Sequence, residues 1–305
     1  MRALRVGDRT RLVDVPIPAA AGEALVRVTL SGICNTDLEL ARGYMGFRGT
    51  LGHELVGVVE QGGGEIPNGA RVVCEINAGC GSCALCLTGD PRHCPTRTVM
   101  GIVGRDGAHA DYVRMPARNL IPVPAGISDR QAVFVEPLAA ALGILERCPI
   151  SGERIAIIGD GKLGLLIAMA LADHHPLLIG KHPSKMKLAP VESVTIEHAR
   201  GPFDIVIEAS GTADGFTLAL DLLRPQGSLV LKSTFAGATP VDAARIVVNE
   251  IRVIGSRCGR FAPALARLPH VNVDQLISDQ LSLDHAERAL SDATKPGVLK
   301  VLLAR

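Results

Sequence analysis

The spacing of apolar residues changes character once along this chain, near residues 122–126. Before that point the apolar residues come in short β-branched runs, at 24–30, 55–60, 71–75 and 110–113, separated by Gly, Pro and Asn. Such punctuation predicts strands joined by turns. From residue 128 to about 147 the spacing becomes helical, with Ser128 and Asp129 available as caps.

The continuous apolar run at 154–159 has the texture of a strand buried on both faces of a parallel sheet. A helix-like run from Lys162 to about Asp173 follows it, then strand-like segments at 176–180, 203–208 and 228–231. Strands alternating with helices specify a parallel α/β sheet with right-handed crossovers. The tail at 297–303 is strand-like again and predicts pairing with the N-terminal β-rich part. The chain carries no internal repeat and no low-complexity tract.

Composition narrows the class. The 305 residues suffice for two domains, and 47% hydrophobic with 21% charged residues belongs to a globular protein. The 32 basic and 31 acidic side chains leave a formal charge of +1, which gives no reason to expect nucleic acid or an anionic membrane as partner. The N-terminus lacks the apolar core of a signal peptide. The longest apolar stretches fall short of the roughly 20 residues of a bilayer span. A cytoplasmic enzyme is the expectation.

Of the eight cysteines, Cys80, Cys83, Cys86 and Cys94 lie in one loop, while Cys34, Cys74, Cys148 and Cys258 are scattered. Without an export signal, clustered cysteines suggest metal before disulfide. Four thiolates suffice for a closed tetrahedral zinc site, and Gly79, Gly81 and Gly89 supply turns that let them converge. The alternative is a set of reduced thiols or a redox pair, which would be exposed and oxidisable. A site with all four positions filled has no room for substrate, so its role is structural.

Three other segments offer single ligands: Cys34 after a strand, His53 and Glu54 before another, and Glu136 at the head of Glu136-Pro137-Leu138-Ala139. Taken singly, each has an ordinary explanation as a core cysteine, a hydrogen-bonded histidine or a surface glutamate. Gly159-Asp160-Gly161-Lys162-Leu163-Gly164 is a G-x-G-x-x-G sequence between a predicted strand and a predicted helix, the context of a dinucleotide fingerprint. Its glycines permit a tight turn and close approach of backbone to pyrophosphate at the helix N-terminus. An NAD site should end the second strand in an acid. Here Gly180 holds that place, followed by Lys181, His182, Ser184 and Lys185, and no acid lies between Asp173 and Glu192. Positive charge without an acid favours the 2′-phosphate of NADP(H) over NAD(H).

Together these motifs resemble the zinc-containing medium-chain dehydrogenase/reductase family over nearly the whole chain, in particular its polyol, threonine and glucose dehydrogenase branch. The resemblance implies a GroES-like β-rich catalytic domain at 1–137 holding both zinc sites, a doubly wound Rossmann domain at 138–257, and a return to the catalytic domain at 258–305. It implies that Cys34 and His53 bind a catalytic zinc, with Glu54 and Glu136 as alternative or exchanging ligands. The implied activity is zinc-assisted hydride transfer between a secondary alcohol or polyol, or its ketone, and NAD(P). Thr36 matches the hydroxyl that relays the proton, and Asp37 a carboxylate that orients His53. Where many relatives carry an outer relay histidine, this chain has Glu39, which could shuttle protons or stand inert on the surface.

At fold level, Ala209, Ser210 and Gly211 are expected on the adenosine or nicotinamide-ribose side, and 232–234 near the nicotinamide. Lys300 resembles a basic residue that reaches the pyrophosphate. A homo-dimer or homo-tetramer is expected, although the loops at 61–67 and 187–201 are trimmed. Two rival readings remain. One is an NADPH-dependent reductase of a biosynthetic carbonyl intermediate. The other is a dinucleotide-binding protein without catalysis, which retention of Cys34, His53 and Thr36 disfavours.

Overall fold

In the computed structural model, which describes residues 1–234 and 240–305, the strand Ala24–Gly32 alternates buried and half-buried positions before becoming fully buried at its end. That alternation is the mark of a strand with one covered face. It lies between Glu54–Gln61 and Lys300–Ala304, both antiparallel to it. The sheet continues through Arg71–Cys74 to Leu120–Pro122 on one side and to Ile277–Ser282 on the other, and Tyr112–Met115 also pairs with Ala24–Gly32. The tail therefore returns to the N-terminal β-rich part, with Leu302 opposite Gly32. Leu4, Ile33, Leu40, Leu51, Val301 and Leu303 pack together beneath it.

The α/β part is a six-stranded parallel sheet. Its order is Ser193–Thr195, Leu177–Gly180, Ile155–Ile158, Phe203–Glu208, Leu223–Leu231, Arg252–Gly255. Numbered within this part, that order is 3-2-1-4-5-6, the arrangement of a doubly wound dinucleotide fold. Ile155–Ile158 is buried at every position, as a central parallel strand demands. Two strands escape the hydropathy pattern. Ser193–Thr195 is short and only half-buried, and Arg252–Gly255 is an edge strand with exposed residues. The expected helix at 128–147 is divided into Asp129–Ala132 and Val135–Arg147, the first held by a reciprocal capping box between Ser128 and Gln131.

The chain forms two units, Met1–Glu136 with Leu276–Arg305, and Pro137–Gln275. The return to the first unit thus falls at Leu276 rather than at 258. Residues 258–275 stay with the α/β part through close backbone packing. A side-chain carbon at Gly259 would lie 2.0 Å from the Ala139 carbonyl oxygen, and one at Gly143 would lie 2.5 Å from that of Cys258. Arg267 pairs with Asp173 at 2.8 Å, and Gln275 Nε2 donates to the Leu188 carbonyl at 2.6 Å. Sequence spacing carries no trace of such contacts. Among the described residues no helix is long and apolar enough to cross a membrane.

Candidate active site

The cysteine loop folds as its glycines suggest. Cys80, Cys83, Cys86 and Cys94 bring their sulfurs within 4.8 Å of one another, and none is in a disulfide. A side-chain carbon at Gly79 would meet Cys86 Sγ at 2.7 Å, so only glycine admits the sulfur there. Hydrogen bonds from Ser82 and the Cys83 backbone bring the Cys80 thiol down to about 5. Cys86 accepts a hydrogen bond from the Gly81 backbone, yet desolvation and the neighbouring sulfurs push it up to about 11. Crowded sulfurs cannot all ionise without a cation among them, and a tetrahedral zinc ion answers that need.

The second cluster follows from strand register. Gly32 pairs with Glu54 across adjacent antiparallel strands. Cys34, two residues beyond Gly32, therefore meets His53 and Glu54 at the sheet's end, with the three ligand atoms within 4.8 Å of one another. Cys34 also caps the helix Asn35–Ala41, where its backbone N–H donates to Asp37 Oδ2 at 2.8 Å. Thr36 Oγ1 lies 3.8 Å from Cys34 Sγ, beside the cluster. Sulfur, imidazole nitrogen and carboxylate oxygen form a donor set suited to a catalytic zinc ion.

Glu136 is not gathered with these three. It is half-buried at the start of the helix Val135–Arg147, near enough for its charge to act on Lys300. Lys300 departs furthest from expectation. Its side chain is buried, and its ammonium donates to Glu54 Oε1 at 2.7 Å and Oε2 at 2.5 Å, and to the Ile33 carbonyl at 3.4 Å. The pairing of Leu302 with Gly32 sets it beside the metal cluster, and a buried ammonium needs a carboxylate partner. Burial works against its charge, but Glu54, Cys34 and Glu136 raise its pKa. Glu39 is half-buried and pairs with Arg42 at 2.8 Å, one turn along its own helix.

Asp37 is a hub. Its Oδ1 accepts from the Gly52 N–H at 3.0 Å and lies 3.4 Å from His53 Nδ1. Its Oδ2 lies 3.5 Å from Nε2 of His109, a residue the sequence reading missed. Burial opposes the Asp37 charge, but the two histidines hold its carboxyl well below the usual range. The only sequence signal for His109 is a histidine in an apolar strand context, which has no motif spacing.

In the α/β unit the fingerprint glycines are needed individually. A side-chain carbon at Gly164 would lie 1.9 Å from the Gly159 carbonyl oxygen, and one at Gly159 would lie 2.7 Å from that of Ala209. Gly161 caps the helix Lys162–Ala170 and faces open space, the cradle that a pyrophosphate requires. Lys162 and Leu163 open that helix half-buried. Gly180 does end the second strand, but a carboxylate stands beside it after all: Asp160, from the fingerprint itself, fills the space. A carbon at Gly180 would meet Asp160 Cβ at 2.7 Å. Asp160 Oδ2 accepts from the Lys181 and His182 N–H groups at 2.9 and 2.5 Å and lies 2.9 Å from His182 Nδ1.

Lys181 and His182 are exposed and Lys185 is half-buried on this turn. Ser210 binds Glu208 through its N–H at 2.7 Å and its hydroxyl at 2.5 Å, and the Gly211 N–H donates to Ser233 Oγ at 2.8 Å. Lys232 is a structural tie, its ammonium donating to the Ala140 and Arg257 carbonyls.

Residues 20–125 match the alcohol dehydrogenase GroES-like domain, and residues 185–270 match the zinc-binding dehydrogenase family. An L-threonine 3-dehydrogenase of Pyrococcus horikoshii is 31% identical, the match covering 81% of this chain and 78% of that protein. This chain belongs to the zinc-type alcohol dehydrogenase family. A sorbitol dehydrogenase of Halalkalibacterium halodurans is 29% identical over 91% of this chain and 90% of its own. Among solved structures, the zinc-binding dehydrogenase of Sinorhizobium meliloti bound to NADP has a TM-score of 0.87 at 28% identity, covering 100% of this chain and 99% of that one. A zinc-type dehydrogenase of this kind is an oxidoreductase of alcohols or polyols that uses zinc and a nicotinamide cofactor, and both clusters have the donors for that chemistry.

Proposed function

We propose that this dehydrogenase interconverts a secondary alcohol or polyol and its ketone with NADP(H), using Cys34 and His53 as the constant ligands of a catalytic zinc and the four-cysteine loop for a structural zinc. The convergence of Cys34, His53 and Glu54 within 4.8 Å carries this reading. A zinc ion there supplies Lewis acidity that lowers the pKa of the substrate hydroxyl, and the nicotinamide supplies the hydride acceptor. Thr36 relays the hydroxyl proton, accepting it at its oxygen while giving up its own toward solvent. Asp37 holds His53 with one ring nitrogen toward the carboxylate and the other available as ligand. Glu54, with both oxygens on Lys300, enters the metal's shell only by leaving that ammonium, and Glu136, whose charge also acts on Lys300, is the alternative exchanging carboxylate.

For the cofactor, exposed Lys181 and His182 with Lys185 support a 2′-phosphate contact, while Asp160 spends its Oδ2 on the turn's own backbone. Gly159, Gly161 and Gly164 cradle the pyrophosphate. The edge strand Arg252–Gly255, with Val253 43% exposed, and the preceding helix Ala243–Val248, with Val247 73% and Val248 79% exposed, support self-association.

The test is a screen of polyols, amino alcohols and ketones with both cofactors, together with dissociation constants for NADPH and NADH. Turnover of a secondary alcohol with tighter NADPH binding is the expected result. A preference for NADH would overturn the cofactor assignment, and no turnover with any alcohol or ketone would overturn the function.

A further inference from the structure

The first unit contains a buried polar pair that the proposed chemistry does not use. Ser31 and His109 are 1% and 0% exposed, and Ser31 Oγ lies 2.9 Å from His109 Nδ1. Apolar side chains would fill this space without the cost of desolvating an imidazole and a hydroxyl. The pair leads to Asp37, which is itself 0% exposed.

We propose that His109 is a positioning residue for the mixed metal centre: oriented by Ser31, it holds Asp37 so that Asp37 in turn fixes His53 and the Cys34 backbone. The inference rests on reading Cys34 and His53 as metal ligands.

Proton placement follows from the donors present. With the Ser31 hydroxyl donating to His109 Nδ1, Nε2 carries the proton and faces Asp37 Oδ2 at 3.5 Å. The opposite tautomer would aim a lone pair at a carboxylate. Asp37 Oδ1 then faces the proton on His53 Nδ1 at 3.4 Å, which leaves His53 Nε2 for a cation. His53 Nδ1 and His109 Nε2 are both buried nitrogens with no partner in full hydrogen-bond geometry, and they address the same carboxylate, one on each oxygen. Both contacts fall on one carboxylate, so the orientation of each histidine depends on the other.

The backbone makes this coupling rigid. The His109 N–H donates to the Leu51 carbonyl at 2.8 Å, and the Ala108 N–H donates to that of Gly52 at 2.9 Å. His109 is thereby strapped to the residues immediately before His53. A side-chain carbon at Gly52 would lie 2.5 Å from His109 N and 2.7 Å from its Nδ1, so glycine is required for the approach.

The test uses the full chain, purified as holoenzyme, with His109→Phe, His109→Gln, Ser31→Ala and Cys34→Ser. Zinc per chain is measured after dialysis against zinc buffers, and the mixed site is then loaded with cobalt(II) to record its thiolate charge-transfer and d–d bands. His109→Phe should weaken metal retention at the mixed site about 10–100-fold and shift the cobalt spectrum, with the four-cysteine zinc retained as internal control. His109→Gln, which can accept from Ser31 and donate to Asp37, should recover most of the affinity, and Ser31→Ala should lose several-fold. Unchanged retention and spectrum in His109→Phe overturns the proposal. Should that variant not fold, an unchanged Ser31→Ala does the same. If Cys34→Ser itself keeps both metals, the ligand reading fails. If it loses one while the His109 and Ser31 variants lose none, only the positioning role fails.

Discussion

Single side chains decide which cluster does chemistry and which holds the fold. Cys34→Ser should abolish turnover and remove one zinc while leaving thermal unfolding nearly unchanged. Cys86→Ser should instead lower the unfolding temperature, since it opens a closed four-thiolate site. Calorimetry and metal analysis on both variants check the division, and equal stability loss with retained turnover would sink it. Lys300 gives a second residue-scale prediction. Its ammonium neutralises Glu54, which is 1% exposed, so Lys300→Met strands a buried carboxylate and should cost about 3–5 kcal/mol. Pairing it with Glu54→Gln should recover part of that loss in denaturant unfolding. A single variant as stable as the wild type would show that Glu54 finds another partner.

At the scale of elements, the second strand of the α/β sheet and the fingerprint loop share one volume. Gly180→Asp should not install the usual ribose-binding acid, because Asp160 already occupies the space. The variant should express poorly or unfold at lower temperature, and Asp160→Ala in the same chain should relieve it. Wild-type stability in Gly180→Asp alone would refute this exclusion.

Asp160 also has a pH signature. Burial opposes its charge, but hydrogen bonds from His182 and Lys181 lower its carboxyl pKa. A depressed folded value means its contribution is complete above the unfolded pKa of about 3.9 and is lost as pH falls through the folded value. Acid titration of stability in wild type and Asp160→Asn should therefore converge at low pH and separate on the neutral side. Asp160 shows what periodicity can and cannot reveal. The missing acid at 180 was legible, but the replacement lies twenty residues earlier, and only the parallel pairing of Ile155–Ile158 with Leu177–Gly180 brings them together.

For the whole molecule, chelation should proceed in two stages, with the mixed site emptied first and activity lost before the unfolding temperature falls. One stage, with activity and stability lost together, would argue against separate roles. The apolar edge at Arg252–Gly255 predicts an assembly larger than one chain by light scattering, weakened by Val253→Asp.

By itself the sequence determined whatever depends on local spacing. Four cysteines in one loop, glycines between a strand and a helix, and β-branched runs giving way to alternating strands and helices are short-range patterns that local sterics convert into structure. Tertiary structure alone decided which distant groups meet. The pairing of Gly32 with Glu54 and Leu302 selects Cys34 and His53 as neighbours, sends Lys300 to Glu54 instead of a pyrophosphate, and leaves Glu136 outside the cluster. It also keeps 258–275 with the α/β unit and brings His109 to Asp37. These outcomes rest on strand register and on the need of each buried charge for a partner. Both are set by segments far apart in the chain, where residue spacing carries no information about contact.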